Sequence, residues 1–124
     1  MALETLYKQF NNEIKKASDE EKAFQRHKQA FQQLSSQKAE NEAVKEDLSE
    51  LTEDNIIYKL IGPALVKEDL TVARETVEKR LKFIQDEIHR NEKLLKDSED
   101  SINKQREKVV KIQEQLIAMQ NPHK

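Results

Sequence analysis

The fold of this chain turns on NIIYKLIGPALVK, residues 55–67. The stretch holds the only glycine of the chain, Gly62, and one of its two prolines, Pro63. From Ile56 to Ile61 it is rich in β-branched and aromatic side chains, which favour a pleated strand. Gly62-Pro63 fits a two-residue reversal of type II′. Glycine takes the first central position, where φ is positive, and proline takes the second, near its fixed φ. A second strand then runs from Ala64 to Val66 or Lys67. That turn sets Ile61 opposite Ala64, Leu60 opposite Leu65 and Lys59 opposite Val66. One face carries Ile56, Tyr58, Leu60 and Leu65, and the other Ile57, Ile61, Ala64 and Val66. Both faces are apolar, and a lone two-stranded hairpin is marginal in water. One face is expected to rest on the chain's own flanking elements. The other face and both strand edges lack a partner in the chain, and open edges invite pairing with another chain. The expected assembly interface is therefore Ile56, Ile57, Tyr58, Leu60, Ile61, Gly62, Pro63, Ala64, Leu65 and Val66.

Outward from the hairpin, the composition changes character. The 124 residues are 37% charged, 35% hydrophobic and 5% aromatic. That is too little apolar material for an ordinary compact globule. Scarce glycine and proline with abundant Glu, Lys, Gln, Leu and Ala fit long helix or coiled coil rather than disorder. The length suits one domain, read as an N-terminal helix over 1–53, the hairpin over 55–67 and a C-terminal helix over 69–121. Asp54 and Asn55 end the first helix, and Asp69 or Thr71 caps the second. Helices of about 50 residues at ~1.5 Å per residue reach ~75 Å.

In the C-terminal half, steps of four and three pick out Val77, Leu81, Ile84, Ile88, Asn91, Leu95, Ser98, Ile102, Gln105, Val109, Ile112, Leu116 and Met119. A 3.5-residue period kept this long implies a left-handed coiled coil. The N-terminal half follows the step through Leu3, Tyr7, Phe10, Ile14, Ala17, Glu21, Phe24, Lys28 and Phe31. The phase then slips by one residue and continues through Leu34, Gln37, Asn41, Val44, Leu48 and Leu51. The reversal at Gly62-Pro63 lets the chain fold back into an antiparallel pair. Leu3 then meets Met119, Phe10 meets Ile112, Ala17 meets Gln105, Phe24 meets Ser98 and Phe31 meets Asn91. Phe24 and Phe31 are thus set against the small polar Ser98 and Asn91, and Ala17 against the longer Gln105, as close packing asks. The fold class is mainly α, a long antiparallel two-helix coiled coil with one β-hairpin at the helix–helix junction.

Helix, apolar hairpin with a Gly turn and helix, in this order, resembles a β-class prefoldin subunit. The likeness is specific in IIYKLIGPALVK at 56–67, ARETVEKRLKFIQDEI at 73–88 and NEAVKEDLSEL at 41–51. It is architectural over the rest of the chain. The second hairpin that marks the α-class is absent from the sequence. The resemblance implies a heterohexamer of two α-class and four β-class subunits whose hairpins close into a double β-barrel. It also implies that the far helix ends hold unfolded clients of the actin and tubulin type. The complex passes them to the cytosolic chaperonin without ATP. The expected client-binding tip is Leu3, Leu6, Tyr7, Phe10, Leu116, Ile117 and Met119, with Leu6 and Ile117 beside the seam and exposed. Weak apolar contacts at several tips gain avidity together.

Other chemistries find little support. One glycine cannot build a phosphate-binding loop. There is no cysteine for thiolate catalysis, disulfides or metal sites. His27, His89 and His123 lack ligand-spaced histidine partners; His89 falls outside the seam and His27 at its flank. Neither enzyme activity nor a cofactor or metal is expected. The net charge of −2, with both signs interleaved, gives no basic field for nucleic acid or a membrane surface. No apolar run nears the roughly 18–20 residues of a membrane span, and no signal-peptide segment is evident, so a cytoplasmic location is expected. Two alternatives remain open. A structural tether or scaffold needs no two-faced apolar hairpin, and an RNA-binding helical arm should carry a basic stripe.

Overall fold

The computed structural model describes residues 2–121. Its elements are α1 (Ala2–Ser49), β1 (Ile57–Ile61), β2 (Ala64–Glu68) and α2 (Leu70–Gln120). Two compact units divide the chain. One is Phe31–Arg90, which holds the hairpin; the other joins Met1–Ala30 with Asn91–Lys124.

α1 stops four residues short of the expected boundary. Glu50 and Leu51 donate backbone hydrogen bonds back to Asp47 and Leu48 in a tightened last turn. A local turn follows, in which the Asn55 side chain accepts from the Thr52 N–H at 2.8 Å while Asn55 N–H donates to the Thr52 carbonyl at 3.0 Å. The last turn of α1 has no basic residue of its own. Arg74 of α2 supplies the positive charge instead. Its Nε and Nη2 donate to the Leu48 carbonyl at 3.1 and 2.8 Å, and Nη2 also reaches the Leu51 carbonyl at 2.7 Å. The Leu48 carbonyl belongs to the last turn of α1, where intrahelical donors run out, and the Leu51 carbonyl lies just past the helix. At the other junction the Asp69 carboxylate accepts from the N–H groups of Thr71 and Val72, at 2.8 and 3.2 Å, and caps α2.

The buried line of α2 follows the expected steps. Val77, Ile84, Ile88, Asn91, Ile102, Gln105, Ile112 and Leu116 are buried, as is Ala73 one turn earlier. Leu81, Leu95, Ser98 and Val109 are half-buried, and only Met119 at the end of the series is exposed.

α1 differs from expectation. None of its residues is fully buried. Its covered line is Leu6, Phe10, Glu13, Ala17, Glu20, Phe24, His27, Phe31, Leu34, Lys38, Asn41 and Leu48. This line keeps four-and-three steps from Leu6 through Asn41, so no slip occurs near Phe31. Leu3, Tyr7, Ile14 and Val44 are exposed, and so are Lys28 and Gln37. Reading the sequence for the largest local apolar content placed the second member of each heptad one residue too late. The unbroken aromatic and aliphatic positions fix the phase, and Glu13, Glu20, His27 and Lys38 are carried into the covered line with them. Glu20 Oε2 is buried without a hydrogen-bond partner, a cost that a more apolar helix would not carry.

Polar contacts establish the antiparallel pairing within each unit. In the unit of Met1–Ala30 and Asn91–Lys124, the Gln105 amide donates to the Glu13 carbonyl at 2.9 Å and also to the Glu13 carboxylate. Gln105 therefore reaches one turn beyond Ala17, the expected neighbour. Arg106 pairs with Glu21 at 3.7 Å. In the unit Phe31–Arg90, Lys45 lies 4.0 Å from Glu78.

The hairpin and the helix ends as the candidate functional site

β1 and β2 pair antiparallel with Ile61 opposite Ala64, Leu60 opposite Leu65 and Lys59 opposite Val66. Tyr58 opposite Lys67 falls within the expected second strand, and Ile57 opposite Glu68 extends the ladder one residue beyond it. The register follows from the turn. Gly62 has φ +58°, in the left-handed region that an L side chain adopts only with strain, and a Cβ there would touch nothing within 4 Å. Only the backbone conformation calls for glycine at this position. Proline next to it accepts the remaining geometry because its own φ is fixed negative.

The expectation that one face would rest on the chain's own helices is met only at the root of the hairpin. There Ile57 and Glu68 are half-buried beside Val44, Leu48, Ala73 and Val77. Beyond that, Ile56, Tyr58, Leu60, Ile61, Leu65 and Val66 are exposed, with Leu60 at 67% and Leu65 at 69%. Gly62, Pro63 and Ala64 are exposed too. Along the two five-residue strands only Ile57 and Glu68 are half-buried, and no other described residue covers the rest. Contiguous apolar surface of this kind marks a site of association.

At the other candidate site, the start of α1 and the end of α2 lie side by side, and the Gln120 amide donates to the Tyr7 hydroxyl. Leu3, Tyr7, Ile117 and Met119 are exposed. Leu116 is buried, and Phe10 is half-buried. Leu6 was expected beside the seam; it lies in the covered line and is half-buried. The shift of the α1 line by one residue exchanges the places of Leu6 and Tyr7.

The Glu13 carboxyl titrates below the ordinary glutamate value. The hydrogen bond from Gln105 is the main cause, partial desolvation opposes it, and Lys16 and Lys108 add attraction. Among the described residues no group of three or more His, Asp or Glu is placed to hold a metal ion, and no helix is long and apolar enough to cross a membrane. His27 lies on the covered line rather than at its flank, His89 is exposed, and His123 lies outside the described residues. Sequence reasoning missed Arg74. The signal was there in the last turn of α1, which is without a cation of its own, facing an arginine in the first turns of α2.

The sequence profile described as prefoldin subunit matches residues 6–116. The chain belongs to the prefoldin family. As a prefoldin subunit it is a chaperone-type component with β-class architecture, one hairpin between two long helices. It is 38% identical over 113 residues to prefoldin subunit 6 of Bos taurus, covering 91% of this chain and 88% of the bovine protein. With prefoldin subunit 6 of Saccharomyces cerevisiae it shares 40% identity over 83 residues, 67% of this chain and 73% of the yeast protein. In fold it is similar to the prefoldin beta subunit from Thermococcus strain KS-1, with a TM-score of 0.74 at 15% identity over 82% of this chain and 89% of that one. The beta2 subunit of the same strain gives a TM-score of 0.64 at 22% identity, over 74% and 98%.

Proposed function

We propose that this chain is one subunit of a hexameric co-chaperone that works without ATP. Its hairpin joins those of other α- and β-class prefoldin subunits. Its helix ends hold unfolded proteins of the actin and tubulin type and deliver them to the cytosolic chaperonin, so it acts in the cytoplasm. The observation that carries this reading is the hairpin, where Tyr58, Leu60, Ile61, Leu65 and Val66, with Ile56 just before β1, stand exposed and uncovered by any other described residue. Apolar surface of that extent, with open strand edges, is stable only when other chains bury it.

For client holding, the support is the exposed group Leu3, Tyr7, Ile117 and Met119 where α1 begins and α2 ends. Leu6, Phe10 and Leu116 stand behind it in the covered line. A single glycine, placed in the hairpin turn, leaves no phosphate-binding loop, which fits a holding function that needs no nucleotide.

Native mass of the chain alone, and mixed with an α-class prefoldin subunit, tests assembly. A defined hexamer only in the mixture is expected; two components that stay separate would sink the reading. Deleting residues 1–10 and 112–124 tests the helix ends. Assembly should survive while suppression of client aggregation is lost, and intact suppression would rule these ends out.

A further inference from the structure

The hairpin joins the helices of its unit, Phe31–Arg90, at two junctions that are built differently. On the α2 side the junction is one residue. β2 ends at Glu68, Asp69 follows, and α2 begins at Leu70 with the Asp69 carboxylate as its cap. A single link of this kind lets a strand pair pivot, because the backbone has two soft dihedrals at each residue. On the α1 side, residues 50–56 run between the helix and β1. Only Leu51 among them is half-buried, and the others are exposed. Packing therefore does little to hold this connector in place.

The side chain of Arg74 takes over that task. It bonds the Leu48 carbonyl just ahead of the connector and the Leu51 carbonyl within it. Among the described residues, every hydrogen bond from α2 to the end of α1 or to the connector comes from this one guanidinium. The turn that follows is local, with Thr52 and Asn55 bonded to each other. Charge favours the same arrangement. Between Glu46 and Tyr58 there is no Lys or Arg, while Glu46, Asp47, Glu50, Glu53 and Asp54 all fall there. The C-terminus of α1 adds the negative end of a helix dipole. Arg74, half-buried in the first turns of α2, brings a permanent positive charge to this acidic stretch.

We propose that Arg74 is a positioning residue for assembly: by pinning the α1–β1 connector to α2, it gives the hairpin a second point of attachment and fixes the angle at which its apolar faces meet other subunits. The inference rests on reading the chain as an assembled subunit. Held at two points, the strand pair offers one orientation. Held at Asp69 alone it samples many, and a partner must order it on binding, which costs affinity. Arg74 needs no contact with the partner, since the exposed hairpin residues make that contact and Arg74 sets where they stand.

The chain has no cysteine, so spin labels go without ambiguity to two exposed positions, Leu60→Cys on the hairpin and Phe83→Cys beside an open groove on α2. Electron–electron dipolar spectroscopy of the labelled chain should give one narrow distance distribution. Adding Arg74→Ala should broaden it while helical circular dichroism stays at the wild-type level. Unlabelled Arg74→Ala should bind other prefoldin subunits roughly tenfold more weakly than the wild type. Ile84→Ala is the control, since it thins the packing of the same helix pair without touching the connector. At a temperature where both variants keep full helicity, it should bind as the wild type does. Arg74→Lys keeps the charge and loses the fork, so it should fall between wild type and Arg74→Ala in both measurements. It carries the test if Arg74→Ala does not fold. A distribution that is already broad in the wild type, or that Arg74 substitution leaves unchanged, overturns the positioning role and leaves assembly standing. So does an Ile84→Ala chain that loses as much binding as Arg74→Ala. If the wild-type chain forms no complex with prefoldin subunits at all, the assembly reading fails, and this role with it.

Discussion

Ile84 and Ile61 are the same side chain in opposite circumstances. Ile84 is 6% exposed on the inner line of α2, and Ile61 is 55% exposed on the hairpin. The difference comes from period, not from hydrophobicity. In α2 the apolar residues recur every three or four positions and gather on one stripe, which a single facing helix covers. In the hairpin they occupy successive positions, and a strand sends successive side chains to opposite faces. Covering both faces takes material on two sides, and the helices meet only the root. One region is therefore complete within the chain and the other is complete only among chains.

That contrast has a direct test. Ile84→Ala should cost about 2–5 kcal/mol of unfolding free energy, read from denaturant or thermal melts followed by helical circular dichroism. Ile61→Ala should leave the melt of the chain within about 0.5 kcal/mol and instead lower the yield of complex with other prefoldin subunits. Equal effects on the melt would break the comparison.

Arg74 belongs to the covered region although it is charged, because it satisfies carbonyls of Leu48 and Leu51. Arg74→Ala should cost about 1.5–3 kcal/mol, the range of hydrogen bonds to a charged group. Arg74→Lys should recover only part, since an ammonium cannot reproduce the guanidinium fork. Gly62→Ala should destabilise the hairpin by about 1–2 kcal/mol through backbone strain alone. Nuclear magnetic resonance of the strand pairing would show it, and an unchanged hairpin would mean the turn tolerates another φ. Asp69→Ala should cost about 1 kcal/mol as a lost helix cap, with Asp69→Asn nearly silent.

The smallest effect concerns Glu13. Its carboxyl is held below the ordinary value chiefly by Gln105, so ionised Glu13 favours the folded state. The contribution is complete above the unfolded-state pKa of about 4.3 and fades as acid brings the pH down through the lower folded value. Gln105→Leu should flatten the acid limb of the stability profile. A profile unchanged by that substitution would show that the Gln105–Glu13 contact has no energetic weight.

The hairpin was legible because its geometry is local. Gly62-Pro63 admits one kind of two-residue turn, and that turn dictates every strand pair from Ile61–Ala64 outward. The stripe of α2 was legible because every seventh residue from Leu81 to Leu116 is apolar, which holds the phase across the polar Asn91, Ser98 and Gln105. The line of α1 was not, since Glu13, Glu20 and His27 do not read as interior residues and Leu3, Tyr7 and Ile14 do. The places of Leu3, Leu6 and Tyr7 depended on that same phase: Leu3 and Tyr7 were read into the seam and are exposed, while Leu6 was read beside it and is half-buried.

By itself, then, the sequence determined the elements, the turn, the register and the apolar stripe of α2, all set by the chemistry of residues a few positions apart. The tertiary structure decided the phase of α1, the binding of the Leu48 and Leu51 carbonyls by Arg74 and the open groove beside Phe83. Each of these depends on which side chains stand opposite across the helix pair, and residues far apart in the chain meet there only once the fold brings them together.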